Sequence, residues 1–308
     1  MRCLITGGAG CLGSALSNEL VGMGHQVRVL DDLSAGEQSR LDPRIAFVRG
    51  DIRDIPKLWT LLRGVDCVYH LAARVYVQES ILYPVEYNDV NVGGTVSLMT
   101  AARDAGVRRV ILASSGAVYG EQDEQPAKET AMLRPQTPYA VSKMAAEGYV
   151  QALGALNAIE TVILRIFNAY GPGQVIPPSN PPVIPKLLKQ ALTGGSLVIY
   201  GQGTQTRDFI YISDVVQALI AAATAPGISG AIINVGSGRQ VSINDLAGVI
   251  EEVVGHPTHR LYSNAQTGGV YQLVADISLA RKKLGFKPKV ELLKGLQLLL
   301  EQDPQFAA

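Results

Sequence analysis

The sequence predicts an α/β fold, a doubly wound parallel sheet joined to a smaller C-terminal lobe. Three observations point there. Short apolar runs alternate with stretches of helical spacing through the first half of the chain. A glycine-rich turn separates the first run from the first helical stretch. After residue 168 the texture shifts to loop-rich segments such as Gly171-Pro-Gly and Pro177-Pro-Ser-Asn-Pro-Pro182.

The elements follow in order. Arg2 to Thr6 is apolar enough for a strand covered on both faces. From Cys11 to Met23 the residues Leu12, Ala15, Leu16 and Leu20 recur at helical spacing. Further strands are expected over 26–30, 46–49, 65–70, 109–113 and 161–167, with helices over 56–63, 85–105 and 138–156. Ligands of such sheets bind beyond the carboxyl ends of the strands. Asp51, Ala72, Ala73, Asn91, Ser114 and Ser115 fall there, or on the helices that face those ends. The expected division is a cofactor domain over 1–168, with 209–235 returning to its sheet edge, and a substrate lobe over 169–308.

Composition narrows the function classes. Lys+Arg and Asp+Glu both number 27, so no basic field attracts nucleic acid or an anionic membrane. No run approaches the ~18 apolar residues of a membrane span. The first strand begins at the second residue, which leaves no room for a signal peptide, and the expected location is the cytoplasm. Cys3, Cys11 and Cys67 have neither metal-ligand nor redox spacing and read as reduced, structural thiols. Four scattered histidines suggest no metal site, and His70 reads as a wall residue rather than a base.

Two motifs carry chemistry. Gly7, Gly10 and Gly13 form a GxxGxxG turn between strand and helix, with Cys11 and Leu12 inside it. Missing Cβ atoms there let backbone approach a pyrophosphate at a helix N-terminus. The second strand ends at Asp31, near the ~20-residue separation at which an acid grips a ribose 2′-hydroxyl. Asp31 and Asp32 repel a 2′-phosphate and no arginine follows directly, which favours NAD over NADP. The second motif is Tyr139 and Lys143, a phenol and an ammonium four residues apart on one helical face. Beside a nicotinamide, such a pair suits removal of a proton and a hydride from an alcohol carbon.

These motifs appear in order with Asp31-Asp-Leu-Ser34, Gly50-Asp51-Ile-Arg, His70-Leu-Ala-Ala73, Asn91-Val-Gly-Gly-Thr95, Ser114-Ser-Gly-Ala-Val-Tyr-Gly120, Leu164-Arg-Ile-Phe-Asn168 and Arg207-Asp-Phe-Ile-Tyr211. The chain resembles the extended short-chain dehydrogenases/reductases of the nucleotide-sugar epimerase/dehydratase group, nearest the UDP-sugar 4-epimerases. The resemblance implies a Rossmann-type NAD domain. It implies cofactor contacts from Gly7, Gly10, Cys11, Leu12, Gly13, Asp31, Asp32, Ser34, Gly36, Asp51 (at the adenine), Ile52, Leu71, Ala72, Ala73, Asn91, Tyr139 and Lys143. Ser115, Tyr139 and Lys143 are its catalytic set, and Ser115, Asn168 and Arg207 its substrate contacts, the last two at the diphosphate. Arg207 and Asp208 also read as a surface ion pair. A homodimer through helices 85–105 and 138–156 is implied as well.

The implied chemistry has Lys143 and the positive nicotinamide lowering a phenol pKa that is ordinarily about 10. Tyr139 then takes the sugar's C4 hydroxyl proton while Ser115 bonds the same oxygen, and a 4-keto sugar turns over before reduction on its other face. Two departures bear on the reaction. Gly116 and Ala117 stand where 4,6-dehydratases and related decarboxylases carry acidic groups, which favours epimerisation. Gln266 to Gly269 stands where the family shows an Arg-Pro-Gly-Asp-like run, leaving Arg207 as the clearest cation, with Arg74 and Arg260 as substitutes. Leu273 lies near where the family tunes its pocket and does not name the sugar. A dehydratase or 4-keto reductase on the same scaffold is the alternative, and a dinucleotide-sensing binding protein a further one.

Overall fold

The computed structural model describes residues 1–177, 181–264 and 270–306. Strands and helices alternate first as β1 (Arg2–Thr6), α1 (Cys11–Gly22), β2 (Gln26–Asp31), β3 (Ala46–Arg49), α2 (Ile55–Leu62), β4 (Cys67–His70), α3 (Val77–Leu82), α4 (Pro84–Asn88), α5 (Gly94–Asp104), β5 (Arg109–Ser115), α6 (Pro138–Leu156) and β6 (Glu160–Ile166). The elements then shorten: β7 (Asn168–Tyr170), α7 (Val183–Leu192), β8 (Leu197–Tyr200), β9 (Thr206–Arg207), β10 (Phe209–Tyr211), α8 (Ile212–Thr224), β11 (Ala231–Val235), β12 (Val241–Ser242), α9 (Ile243–Val254), β13 (Arg260–Ser263), β14 (Gln272–Leu273), α10 (Ser278–Leu284) and α11 (Leu292–Gln302).

Seven strands form one parallel sheet in the order β11-β6-β5-β4-β1-β2-β3. The order reverses direction at β1, which pairs with β2 on one side and β4 on the other. A crevice therefore opens beyond Thr6, at the switch point where such sheets bind ligands. The doubly wound sheet expected from the sequence is present. After β6 the chain leaves the sheet and comes back to its edge, where β11 pairs with β6.

Period-2 alternation decides which layer each strand residue enters. Cys3 and Ile5 of β1 join one core with Leu16 and Leu20 of α1 and Val215 and Leu219 of α8. Leu4 points to the opposite core, with Leu58 and Leu62 of α2, Leu98 of α5 and Val150 of α6. Each such side chain taken fully out of water contributes about 1.5–3 kcal/mol. A third core, with Leu187, Ile199, Leu246 and Leu296, fills the C-terminal part.

Helix starts follow local chemistry. Thr137 caps α6 by accepting from the Ala140 N–H at 3.2 Å, and Pro138 occupies the first turn. By contrast α1 has Gly10 as its N-cap, which brings no side chain to its first N–H groups. The single helix predicted over 85–105 is α4 and α5 joined by a π-helical turn at Asp89–Gly93. The sequence does not predict α3, whose six residues are too few to show a period. β5 runs past the predicted 109–113 to Ser115, so the strand itself delivers that hydroxyl.

Candidate active site

A cavity of about 790 Å³ runs along the carboxyl ends of the strands. Except for Asn91, every residue the sequence nominates lines it: the glycine turn with Cys11 and Leu12, Asp31, Asp32, Ser34, Gly36, Asp51, Ile52, Leu71 to Ala73, Ser115, Tyr139, Lys143, Asn168 and Arg207. Asn91 is buried behind the wall instead. Its amide donates to the Arg74 carbonyl at 3.0 Å and to Ser142 Oγ at 2.9 Å, and its Oδ1 accepts from the Arg74 N–H at 2.8 Å. The π-helical turn aims it inward, where it clamps the segment after β4 to α6. His70 also lies behind the wall, between Thr6 Oγ1 (2.8 Å) and Thr95 Oγ1 (2.9 Å), and burial drives its pKa down to about 3.

At the dinucleotide end, backbone packs against backbone. Gly7 has φ +69°, and a Cβ there would sit 2.7 Å from the Ala72 nitrogen. A Cβ on Gly13 would overlap the Gly7 carbonyl oxygen and lie 2.6 Å from the Gly8 Cα. Asp31 accepts from the N–H groups of Ala9 (2.9 Å) and Leu33 (2.8 Å), which fixes its carboxylate at the cavity edge. Asp32 is held by the N–H and hydroxyl of Ser34, through one oxygen only. Asp51 pairs with Arg53 at 2.6 Å, so the arginine beside this end is already engaged; the guanidinium holds the Asp51 pKa down. An uncapped helix end, a turn without Cβ atoms and two carboxylates at the ribose position fit NAD and disfavour a 2′-phosphate.

The segment leading into the wall at Gln174 and Val175 is tied down from several elements. Pro172 O accepts from Cys11 Sγ at 3.3 Å, Gly173 O from Arg40, and Val175 O from the Tyr76 hydroxyl at 3.1 Å. The Gly173 N–H donates to Asp303 at 2.8 Å. Burial pushes the Cys11 thiol up to about 12, which agrees with a structural role.

The reactive end gathers β5 and α6. The Ser115 hydroxyl accepts from the Ala117 N–H at 3.1 Å and lies beside the Tyr139 phenol, whose ionisation it favours. Tyr87 packs edge-on against the Tyr139 ring with centroids 6.5 Å apart. Lys143 Nζ donates to the Ala113 carbonyl at 2.8 Å, and burial lowers its pKa to about 8 against the opposing pull of Glu147. In the protein alone, burial raises the Tyr139 pKa, and only Ser115 opposes it. Lys143 bonds Ala113, so the fold by itself does not supply the lowering.

At the substrate end, Arg207 hydrogen-bonds among the described residues only to the carbonyls of Thr206 (2.7 Å) and Tyr271 (3.3 Å). The reading of Arg207-Asp208 as a surface pair fails. Asp208 is fully buried and accepts from Ser237, Gly238 and Ala275, while Arg207 lines the cavity. Asn168 Nδ2 donates to the Asp208 carbonyl at 3.1 Å. Of the two substitute cations, Arg74 reaches the cavity but also pairs with Glu79 at 3.4 Å. Arg260 is bound to Glu251 at 2.6 Å in the C-terminal part and is not a cavity residue. The run Gln266 to Gly269 lies outside the described residues. Gly116, Ala117 and Leu273 line the cavity as residues that cannot exchange protons.

The family model described as the NAD dependent epimerase/dehydratase family matches residues 3–236. The chain belongs to that family. A UDP-glucose 4-epimerase of Mycolicibacterium smegmatis is 35% identical over 308 residues, covering 98% of each chain. The UDP-glucose 4-epimerase of Thermotoga maritima, solved with UDP-glucose, superposes with a TM-score of 0.93 at 31% identity, over 98% of both chains. The UDP-glucuronic acid 4-epimerase of Bacillus cereus, solved with UDP-glucuronic acid and NAD, has a TM-score of 0.89 at 32% identity, again over 98% of both. As a member of this family the protein is an NAD-dependent enzyme.

Several wall residues escape sequence reasoning: Arg53, Tyr76, Gln136 and Thr137. Thr137 had a readable signal, a capping threonine followed by proline. Tyr76 had none, because its partner, the Val175 carbonyl, lies far along the chain.

Proposed function

We propose that the protein is a UDP-sugar 4-epimerase working through a transient 4-keto sugar. The observation that carries this reading is the meeting of Ser115, Tyr139 and Lys143 in an NAD-shaped cavity whose adjoining wall, Gly116 and Ala117, has no proton donor for elimination. UDP is favoured because the similar epimerases named above act on or bind UDP-sugars. When bound in the cavity, NAD would supply the acceptor for the C4 hydride and the donor for its return, so no net cofactor would be consumed. Tyr139 takes the C4 hydroxyl proton and later returns it, with Ser115 holding the same oxygen as it becomes a carbonyl. The Lys143 ammonium favours the phenolate by its charge. Small neutral side chains at 116 and 117 leave the keto sugar free to present its other face.

Asn168 and Arg207 hold the diphosphate in this reading. Replacing Arg207 by Ala is expected to raise KM for the UDP-sugar about 10–100-fold with little change in kcat, since a hydrogen bond from a charged group contributes about 1.5–3 kcal/mol. Steady-state kinetics check this. The assignment of 1–168 to the cofactor and 169–308 to the substrate belongs to the same proposal, as does a cytoplasmic location, which the free cysteines suit. A homodimer is proposed through α4, α5 and α6, where Val85 is 68% exposed and Leu156 81%.

The test is incubation of the protein and NAD with UDP-glucose, UDP-galactose, UDP-glucuronate and UDP-N-acetylglucosamine, followed by NMR. A C4 epimer of unchanged mass supports the proposal and identifies the sugar. A product lighter by one water makes it a dehydratase, and stoichiometric consumption of NADH with a 4-keto sugar makes it a reductase. NAD binding without conversion of any of the four overturns this substrate class.

A further inference from the structure

Glu147 lies one helical turn beyond Lys143, so Tyr139, Lys143 and Glu147 share one face of α6. Its carboxylate is 4% exposed and pairs with Arg165 of β6, itself 3% exposed, at 2.7 Å. The same carboxylate accepts from the hydroxyl of Ser114, the residue before Ser115 on β5. Arg165 continues the network to the Tyr119 hydroxyl at 3.0 Å, and Tyr119 donates to Asn234 on β11 at 2.6 Å. A buried charged network is costly to keep, and breaking it from one side costs more than leaving it out altogether. Nothing in the proposed chemistry uses it directly.

We propose that Glu147 is a positioning residue: it fixes α6 in register with β5 and keeps the Lys143 ammonium charged inside the cavity wall. The helix meets β5 at two consecutive residues, Lys143 on the Ala113 carbonyl and Glu147 on the Ser114 hydroxyl. The next residue, Ser115, is the one whose hydroxyl lies beside the Tyr139 phenol. A shift of α6 therefore breaks all of these links together.

Titratable groups surround Lys143 from several elements. On its own helix stand Tyr139 and Glu147. From β4 comes His70, held neutral by burial. From α3 and α4 come Glu79 and Tyr87, bonded to each other at 2.7 Å. From β6 comes Arg165, paired to Glu147, while this end of β5 and the facing turn of α5 present hydroxyls and carbonyls only. Glu147 is the carboxylate on the same face, and its field opposes the desolvation of Lys143. Removing it favours the neutral amine.

The inference rests on the reading of Lys143 as a cofactor-binding and catalytic residue. It is tested by calorimetric NAD affinity across pH, which needs no sugar. In the wild type, affinity is expected to weaken as pH rises through about 8, where Lys143 loses its proton. Glu147→Gln keeps the shape and removes the charge, and should move that midpoint down by about one pH unit. Arg165→Gln breaks the same pair but leaves the carboxylate, and should not lower the midpoint. If a single variant fails to fold, the double E147Q/R165Q removes both buried charges and should show the downward shift. An unmoved midpoint in E147Q or the double variant overturns the proposal, as does an equal downward shift in R165Q. A shifted midpoint in a protein that converts no UDP-sugar supports this inference and removes the epimerase reading.

Discussion

Tyr139→Phe is expected to lower kcat about 10²–10⁴-fold, the usual contribution of a positioned acid–base group, if Tyr139 has the role proposed above. NAD affinity changes far less and the fold stays intact. The ring keeps its edge-on packing against Tyr87, and Ser115 keeps the Ala117 N–H as a partner, so stability moves by about 1 kcal/mol. Single-turnover NMR on the sugar that the wild type converts, alongside calorimetric NAD titration, separates the two effects. Turnover within tenfold of wild type would remove Tyr139 from the chemistry. The pH dependence has a definite sign. If Tyr139 is the proton acceptor proposed above, rate is expected to climb with pH as the phenol, raised by burial, loses its proton, and to fall at higher pH as Lys143, lowered by burial, loses its own.

Gly13→Ala is the second large effect, and it strikes the cofactor rather than the chemistry. The added methyl meets backbone at the Gly7 carbonyl and the Gly8 Cα, and backbone cannot swing away as a side chain can. α1 must move out, at a cost of about 1–3 kcal/mol. An ångström of displacement at a binding group can cost about a hundredfold, so NAD affinity is expected to drop by about that factor with Tm falling as well. Gly148→Ala is the control. It lies on α6 with nothing near its missing Cβ, and should raise stability by about 0.5–1 kcal/mol with NAD affinity unchanged. Equal losses in both variants would contradict the steric account.

The sheet and most of the cavity were legible because each is written locally. β1 through β6 announce themselves as apolar runs ended by turn residues, and the glycine turn, Asp31 and the Tyr139–Lys143 spacing lie within short windows. What escaped depends on partners distant in sequence. Asn91 stands in the middle of a family-like motif, yet the π-helical turn rotates it to the Arg74 backbone and away from the cavity. Arg207 and Asp208 are neighbours in sequence but face different surroundings, one the cavity and the other a cluster of N–H donors. The phenol's raised pKa was unreadable for the same reason, since burial is a property of the packed molecule.

The first helix has a consequence for how the molecule comes apart. Leu12 and Ala15 of α1 pack against the core under the sheet and also against the core of the C-terminal part, while Ala280 and Phe286, from near the chain's end, complete the former. Neither half owns a complete interior. Melting is therefore expected as a single cooperative event, with one calorimetric endotherm whose van't Hoff and calorimetric enthalpies agree. Cutting the chain after β6 should yield two fragments that fold only when mixed.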